Sequence, residues 1–451
     1  MKGNQKQLNL FDIFSIGLGG AIGSGIFVLM GVGIGYTGHS VFISLVLGCI
    51  IMLLAYMYNV VLVSMFPFKG GTYSQSALLF SPTMTGVNAI FLLLVGFSLS
   101  IYSSGIVSYI AAIIPGITAY SKLVSVAIMT LFFAITIKGS KFLAMIQNIM
   151  TVILLLSIGI FIILGIPKVQ SGFFDPSTFF KNGAPGFLCA VSIMGFACQG
   201  TTGGIAMTSV TKKPTKTIPF AILLVTLVLA VIYALMGIVS SGVLPVEKVA
   251  GQPLSAVAAA IFPHWFTVVF IIGGAVFALT TSLLASIASL NYPISQIAED
   301  GWLPKCFTKK TKGGYPWATQ LTFYIISLIP ILTGISFEAI VSLVMIPTML
   351  ITLYCNIKCI SIPKKYPEQW KKSILHMPMP LYTAIMILGA AADLFIAYNL
   401  LVTLKPIQML YVALAFGFCI VLAIIRVKTK AVDVNKLMEI KKTVSEEAAN
   451  T

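Results

Sequence analysis

The stretch Gly19-Gly20-Ala21-Ile22-Gly23-Ser24-Gly25-Ile26-Phe27 lies in the middle of the first long apolar segment of this 451-residue chain. Each glycine inside a helix costs about 1 kcal/mol relative to alanine. Backbone groups left unpaired in hydrocarbon cost still more. A helix that only had to cross a membrane would avoid such a run. The stretch therefore predicts a membrane helix that is interrupted for a function.

A second interruption follows much later in the chain, at Cys198-Gln199-Gly200-Thr201-Thr202-Gly203-Gly204, again inside apolar sequence. Two interrupted segments in matching positions of two halves are the sequence indication of a binding site in secondary transporters. The pair therefore favours transport as the working hypothesis.

The composition places the whole chain in a membrane. Hydrophobic residues make up 58% and charged residues 9%, with a mean hydropathy of +1.02, whereas soluble domains carry about 25% charged residues. A hydrocarbon core of about 30 Å takes about 20 apolar residues per helix. We predict an all-α membrane protein with about twelve membrane helices, near residues 12–36, 40–66, 84–114, 121–138, 143–166, 185–211, 217–241, 264–293, 317–335, 337–360, 380–401 and 407–427.

The basic residues predict the orientation of these helices. With twelve spans and the N-terminus inside, only five of the 28 Lys and Arg residues fall outside, namely Lys122, Lys168, Lys181, Lys248 and Lys405. Because positive charge gathers on the cytoplasmic side, residues 1–11 and the tail 428–451 are predicted to be cytoplasmic, in a multi-pass protein of the inner (cytoplasmic) membrane. The same lysines explain the net charge of +16 without a nucleic-acid partner, and they leave the lipid bilayer as the expected surroundings.

The residues do not support an enzyme, a metal protein or a transporter with a disulfide-linked subunit. The seven cysteines all fall in predicted spans or on the inner side, so no outer cysteine is available for a disulfide-linked accessory subunit. No group of Cys, His or acidic residues has metal-ligand spacing. No nucleophile-base set or phosphate-binding loop is recognisable. We therefore expect no enzyme, no catalytic residue, no metal and no cofactor.

The interruptions would place backbone partial charges at mid-membrane. Opening a helix frees N–H groups at the start of one half and carbonyls at the end of the other, each end carrying about half a unit charge. Such ends suit a zwitterion. The carboxylate of an amino acid would lie on the N–H groups around Ile22, Ser24, Gly25 and Ile26, and its ammonium group on carbonyls near Ala21 and around Phe196 and Thr201. Gly17 and Gly20 are instead expected to let helices pack closely.

Three motifs resemble the amino acid-polyamine-organocation (APC) superfamily of secondary transporters. The stretch from Gly20 to Phe27 resembles its first-helix signature, and the stretch from Lys213 to Pro219 resembles the link between its sixth and seventh helices. The loop after its eighth helix is similar to Ala298-Glu299-Asp300-Gly301-Trp302-Leu303-Pro304, followed by Gly314-Tyr315-Pro316. The resemblance implies a LeuT-type fold. Its ten-helix core would be 12–360, made of inverted repeats 12–166 and 185–360 with helices 1 and 6 broken, and two further helices would lie at 380–427.

The resemblance also implies roles for side chains. Phe196 stands where the superfamily often has an aromatic lid over the substrate, and the eighth helix carries hydroxyls of the kind that coordinate sodium in some relatives. Thr201 replaces an acidic residue that is common there, and the acidic pair near Thr208 and Ser209 is missing. Leu154 stands where some relatives carry a lysine on the fifth helix, so a lysine mechanism is not transferred. The candidate ion-binding residues are Thr280, Thr281 and Ser282, and coupling to H⁺ or Na⁺ stays open.

In the third helix, Ser98, Tyr102, Gly105 and Tyr109 share one face, and Tyr102 is the preferred cavity residue. The candidate substrate-binding residues are Ala21, Ile22, Gly23, Ser24, Gly25, Ile26, Tyr102, Phe196, Thr201 and Thr202.

Asp393 is an acidic residue in the middle of the eleventh predicted helix. A charge there costs about 2.5 to 3.5 kcal/mol on the lenient insertion scale. Because this helix lies outside the predicted ten-helix core, contact with a neighbouring helix or a dimer interface is preferred over a protonation site. The oligomeric state, monomer or homodimer, stays open.

These observations together predict a secondary active transporter of amino acids that works by alternating access, as an exchanger or an ion-coupled permease. No acidic residue lies near the interruptions, so a neutral amino acid is favoured over a basic one. A polyamine or organic-cation antiporter is the alternative. An amino acid sensor that binds without transporting is the alternative from another class.

Overall fold

A computed structural model describes residues 8–68, 71–137, 140–309 and 317–433 of the chain. Within these ranges the chain is almost entirely helical, and its β-structure is a single isolated bridge between Leu8 and Thr211. The prediction of an all-α membrane protein is confirmed. Residues 1–7 and 434–451 of the predicted cytoplasmic ends, the motif Gly314-Tyr315-Pro316 and the side chain of Ser24 lie outside the described part.

Among the described residues, the first half of the chain forms nine α-helices: α1 (Leu10–Ile22), α2 (Met30–Thr37), α3 (Val41–Ala55), α4 (Met57–Met65), α5 (Gly71–Leu79), α6 (Pro82–Leu94), α7 (Leu99–Ile113), α8 (Ser121–Thr136) and α9 (Ser140–Gly165). A π-helical segment, Gly23–Leu29, joins α1 to α2. Short 3₁₀ segments lie at Gly38–Ser40, Val95–Ser98, Pro115–Tyr120 and Ile166–Lys168.

The part of the second half that the structure describes forms thirteen α-helices: α10 (Pro176–Phe179), α11 (Gly183–Gly195), α12 (Pro214–Gly242), α13 (Val246–Val249), α14 (Ser255–Ile261), α15 (His264–Phe270), α16 (Phe277–Glu299), α17 (Trp317–Thr333), α18 (Phe337–Cys359), α19 (Ile362–Lys365), α20 (Pro367–Lys372), α21 (Met379–Thr403) and α22 (Pro406–Lys428). A 15-residue 3₁₀ segment, Phe196–Val210, follows α11. A second π-helical segment, Ile271–Val276, joins α15 to α16, and a 3₁₀ turn covers Lys305–Thr308.

Ten stretches of the described residues are long and apolar enough to cross a membrane. The first of them, Leu10–Ala55, has 46 residues, which is enough for two crossings at about 20 residues each. Gly38 interrupts it with a φ of 72°, a left-handed conformation that glycine adopts without steric cost. Trp317–Thr333 is apolar but has only 17 residues. The number of twelve crossings and the inverted repeat stay predictions.

Two irregularities inside predicted spans gave no clear signal in the sequence. The predicted helix 40–66 is broken at Tyr56, between α3 and α4, where φ is −91° and ψ is 10°. The predicted helix 264–293 contains the π-helical segment around Gly273 and Gly274. Both were expected as continuous helices, because an isolated tyrosine or glycine pair does not by itself break an apolar helix pattern.

The last two long helices pack on different parts of the bundle. The α21 helix lies against α18, α3 and α11, and α22 lies against α6. The α1 helix is surrounded by the 3₁₀ segment Phe196–Val210 and by α16, α12 and α9. The first interrupted helix therefore occupies the interior of the bundle.

The motif Ala298–Pro304 connects three parts of the chain. The Trp302 indole N–H donates to the Tyr73 hydroxyl over 2.9 Å, and that hydroxyl donates to the Asp300 carboxylate over 2.7 Å. Burial, followed by the nearby Asp300 charge, raises the pKa of Tyr73 above its ordinary value, so the phenol remains a donor at neutral pH. Arg426, near the end of α22, donates to the Gly301 carbonyl over 2.7 Å. The motif thus ties α5 and α22 to the end of α16.

Asp12 caps the start of α1. Its backbone N–H donates to the Asn9 side chain, and its carboxylate accepts the Asn9 backbone N–H, which is a reciprocal capping box. Asn148 of α9 also donates to the Asp12 carboxylate over 2.9 Å. Asp12 thus fixes the start of α1 and links it to α9.

Candidate functional site

The two interrupted helices meet at glycines. A methyl group added at Gly200 would overlap the backbone of Gly20 and Ala21, and one added at Gly25 would overlap Ala197. Glycine is therefore required where the two backbones touch. At Gly20 itself an added methyl group would meet Ala285 and Gly200 at 3.4 to 3.6 Å, which is ordinary contact, so its role in close packing stays a prediction.

The first interruption is a π-helix, whereas an opened segment was expected. Gly23–Leu29 keeps a helical backbone whose turn is widened, so its N–H groups are not splayed out as a free anion site. A methyl group at Gly23 would overlap the Ala278 carbonyl and the Ser282 hydroxyl of α16. Because Gly23 has no side chain, α16 can pack directly against the widened turn. Such π-helical turns inside α-helices are frequent at functional sites.

Hydroxyl groups from other helices satisfy backbone carbonyls around this turn. The Tyr233 hydroxyl of α12 lies 3.0 Å from both the Ala21 and the Ala197 carbonyl oxygen, and can donate to one at a time. The Tyr109 hydroxyl of α7 donates to the Phe27 carbonyl over 2.7 Å. Because a buried carbonyl in hydrocarbon needs a donor, these tyrosines stabilise the departure from α geometry.

The hydroxyls predicted to bind an ion contact the same turn. The Ser282 hydroxyl donates to the Gly19 or Gly20 carbonyl and accepts the Gly23 N–H, over 2.8 to 3.1 Å. Thr281 donates to the Ala278 or Gly19 carbonyl, over 2.8 and 3.2 Å. These hydroxyl and carbonyl oxygens are hard ligands of the type that binds hard cations.

Thr280 is buried on the same helix. On the α9 side of Gly19, the Gln147 amide nitrogen and the Thr151 hydroxyl are buried without a hydrogen-bond partner. An ion role for Thr280, Thr281 and Ser282 stays a prediction.

The second interruption is a 3₁₀ helix. A run of 15 residues is long for this conformation, and threonine hydroxyls support it by bonding three residues back. Thr201 donates to the Cys198 carbonyl over 2.8 Å and Thr202 to the Gln199 carbonyl over 3.2 Å. The hydroxyls of both predicted site threonines are therefore engaged with their own helix.

A cavity of about 210 Å³ lies beside the contact between the two interrupted helices, and both Gly20 and Gly200 line it. Its polar lining includes Tyr56, Asn59, Asn88, Ser98, Tyr102, Gln199, Thr202, Ser286, Thr348 and Thr352. Its apolar lining includes Phe91, Leu92, Val95, Leu290, Val344 and Ile351. Among the described residues that line it there is no Asp, Glu, Lys, Arg or His.

The structure places the predicted substrate-binding residues in two groups. Tyr102 and Thr202 line the cavity, and the Ser286 hydroxyl donates to the Tyr102 hydroxyl over 3.4 Å. The others whose side chains are described are buried around the helix contact without lining the cavity: Ala21, Ile22, Gly23, Gly25, Ile26, Phe196 and Thr201. Their contact with substrate stays a prediction.

Three amide side chains of the cavity were missed by the sequence reasoning. Asn59 has a buried side-chain oxygen without a hydrogen-bond partner, and the Asn88 amide donates to Ser76 over 2.6 Å. The Gln199 amide lies 3.3 Å from the Tyr56 hydroxyl and 2.7 Å from the Met345 sulfur. Polar residues inside membrane helices are costly and mark functional sites, so their position in apolar spans was an available signal.

In the described ranges no three His, Cys, Asp or Glu residues are grouped as a metal site. All seven cysteines are free. Cys49 and Cys198 face each other with sulfurs 3.2 Å apart, both buried beside the second interruption.

Several relatives of this chain are named as transporters. The chain is 24% identical over 390 residues to the branched-chain amino acid permease BcaP of Bacillus subtilis, covering 81% of this chain and 83% of that one. It is 26% identical over 420 residues to the methylthioribose transporter of the same organism, covering 88% of each. A chloroplastic cationic amino acid transporter 7 of Arabidopsis thaliana is 24% identical over 334 residues, 68% of this chain and 56% of that one.

The family model described as amino acid permease matches residues 8–426, which is nearly the whole chain. This range includes both interrupted helices and every described cavity residue. The chain therefore belongs to the amino acid permease family of the APC superfamily.

Proposed function

We propose that this protein transports neutral amino acids across the cytoplasmic membrane by alternating access, as an exchanger or an ion-coupled permease. The observation that carries the proposal is the cavity beside the crossing of the two interrupted helices. Its described lining holds amides, hydroxyls and apolar side chains but no charged group. A site at the interface of interrupted helices is where secondary transporters bind their substrates.

The neutral lining bears on the substrate class. A cationic side chain or a polyamine, once removed from water, needs a carboxylate beside it, and the described cavity lining has none. An uncharged apolar side chain would lie against Phe91, Val95 and Val344, where burial of apolar area favours it. The name of the branched-chain amino acid permease among the relatives is consistent with such a substrate.

The first test is uptake into proteoliposomes with a panel of labelled compounds. The panel contains alanine, valine, leucine and isoleucine, with lysine, putrescine and methylthioribose as chemically different competitors. We expect the neutral amino acids to exchange in counterflow with vesicles loaded with the same compound. Movement of putrescine or lysine alone would overturn the neutral assignment, and binding without any movement would support a sensor.

A matched pair of variants tests whether the cavity is the transport site. Val344 lines the cavity, whereas Val231 is exposed on α12. V344F adds bulk to the cavity wall, and we expect it to lower counterflow and to shift selectivity toward alanine. V231F adds the same bulk at an exposed position and should retain the wild-type profile. Equal effects of the two substitutions would place the site elsewhere.

A further inference from the structure

Asp393 is a fully buried acidic residue of α21 whose role the transport proposal does not use. Its carboxylate oxygens accept from two side chains of α18, the Thr352 hydroxyl at 2.5 Å and the Asn356 amide at 2.8 Å. Within the described ranges no Lys, Arg or His forms an ion pair with it. A buried charge without a counter-ion is costly, and intramembrane acidic residues commonly mark proton pathways.

The Thr352 hydroxyl can serve both protonation states of this carboxyl. It lies 3.0 Å from the Met349 carbonyl oxygen and 2.5 Å from Asp393, and a hydroxyl has one hydrogen to donate. When the hydroxyl donates to Asp393, the carboxylate form is satisfied. When it donates to the Met349 carbonyl, its oxygen can accept an O–H from a protonated Asp393. The same heavy-atom geometry therefore accommodates a proton on Asp393.

Asn356 joins Asp393 to the break in the helix formed by α3 and α4. Because the helix is broken at Tyr56, the Asn59 N–H bonds to the Tyr56 carbonyl at 3.0 Å, and the Ala55 carbonyl loses this helical partner. The Asn356 amide donates to the Ala55 carbonyl over 2.7 Å and also to Asp393. Its side-chain oxygen is buried without a partner. The same Asn356 amide thus contacts both Asp393 and the carbonyl freed by the break.

Both hydrogen-bond partners of Asp393 connect it to residues of the cavity wall. Thr352 lines it, and so does Tyr56, the residue at the break. Asp393 therefore contacts a residue of the cavity wall directly. A proton on Asp393 would change the hydrogen bonds of that wall residue.

We propose that Asp393 binds and releases a proton during transport, exchanging it with the cavity through Thr352 and coupling it to the substrate through Thr352 and the Tyr56 break. The proton comes from water, converts the carboxylate to the carboxylic acid, and returns to water on the other side when substrate is released. This proposal rests on the proposed transport function and names its coupling ion.

Few other titratable groups surround the site. Tyr56, at the break, and Cys355, on α18, are near enough to interact electrostatically with Asp393. The helices packed on α21 also carry other titratable or charged residues, namely Cys49, Tyr58, Cys189, Glu338, Tyr354, Lys358 and Cys359. Of these, Glu338 lies in the first turn of α18 and Lys358 in its last turn. Among these described titratable groups, Asp393 is the acidic residue that is buried.

The test uses the full chain in proteoliposomes that enclose the pH indicator pyranine. The substrate is the compound identified by counterflow, and the readout is the number of protons moved per substrate. For the wild type we expect substrate entry to carry protons inward. D393N keeps the shape and both hydrogen-bond partners but cannot titrate, so we expect loss of proton movement and of accumulation driven by a pH gradient. D175N makes the same change in an exposed loop and should retain coupling.

A second pair of variants decides the outcome if D393N does not fold. T352V removes the hydroxyl and T352S retains it, so the proton-to-substrate ratio should fall in T352V and persist in T352S. A wild type that exchanges substrate without moving protons, or a folded D393N with an unchanged ratio, would overturn the proposal and leave the transport function standing. Absence of counterflow in the wild type would instead overturn the transport function.

Discussion

Gly200 is the residue at which the 3₁₀ segment meets the backbone of α1. An added methyl group would overlap Gly20 and Ala21, whereas at Gly203 the nearest atom, in Ile16, lies 3.9 Å away. Overpacking costs about 1–3 kcal/mol. We therefore expect G200A to lower the melting temperature of the detergent-solubilised protein and to reduce counterflow. G203A makes the same substitution in the same 3₁₀ segment without the overlap, and it should melt near the wild type.

Tyr233 was not found by the sequence reasoning, yet its hydroxyl lies 3.0 Å from carbonyls of both interrupted helices. Removing a donor from a buried acceptor costs about 1–3 kcal/mol. Y233F should therefore destabilise the protein and slow transport, as judged by thermal melting and counterflow. Y398F, at an exposed position of α21, is the control. A melting temperature for Y233F equal to that of Y398F would contradict this role.

Among the helices, the start of α1 and the end of the 3₁₀ segment are joined by the Leu8–Thr211 bridge. Leu8 donates to the Val210 carbonyl over 2.8 Å, and the Lys212 N–H donates to the Leu8 carbonyl over 2.9 Å. The two interrupted helices are therefore linked at one end, and we expect them to move together there.

Proline at position 212 tests this link, because proline has no backbone N–H. We expect K212P to slow transport in proteoliposomes. K212A removes the same charge but keeps the N–H, and should transport at nearly the wild-type rate. Equal rates for the two variants would show that the backbone link is dispensable.

The predicted orientation of the whole molecule in the membrane can be tested by labelling one cysteine. Cys306 is exposed, Cys189 is half-buried and the other five cysteines are buried. If the loop after α16 is cytoplasmic, a membrane-impermeant maleimide should label Cys306 in inverted vesicles but not in right-side-out cells. A C306S variant that carries G172C, in a loop predicted to lie outside, should show the opposite pattern. Labelling of Cys306 from outside would reverse the topology.

The amino-acid sequence was enough to predict the membrane class, the approximate positions of several helices and the two interruptions. These follow from hydropathy and glycine placement, which are local properties of the chain. The predicted spans 337–360 and 407–427 agree closely with α18 (Phe337–Cys359) and α22 (Pro406–Lys428).

The tertiary structure alone decided what the interruptions look like and which side chains surround the cavity. The first interruption is a π-helix whose Phe27 carbonyl, together with the Ala21 and Gly19 carbonyls of α1 just before it, accepts from hydroxyls of α7, α12 and α16, and such long-range partners leave no local pattern. The break at Tyr56 likewise depends on Asn356, 300 positions away in the chain. Asp393 looked peripheral because its helix follows the predicted core, but packing of α21 on α18 buries it against Thr352, a residue of the cavity wall. Hydropathy fixes which segments enter the membrane, whereas the pairing of buried polar groups depends on which helices become neighbours.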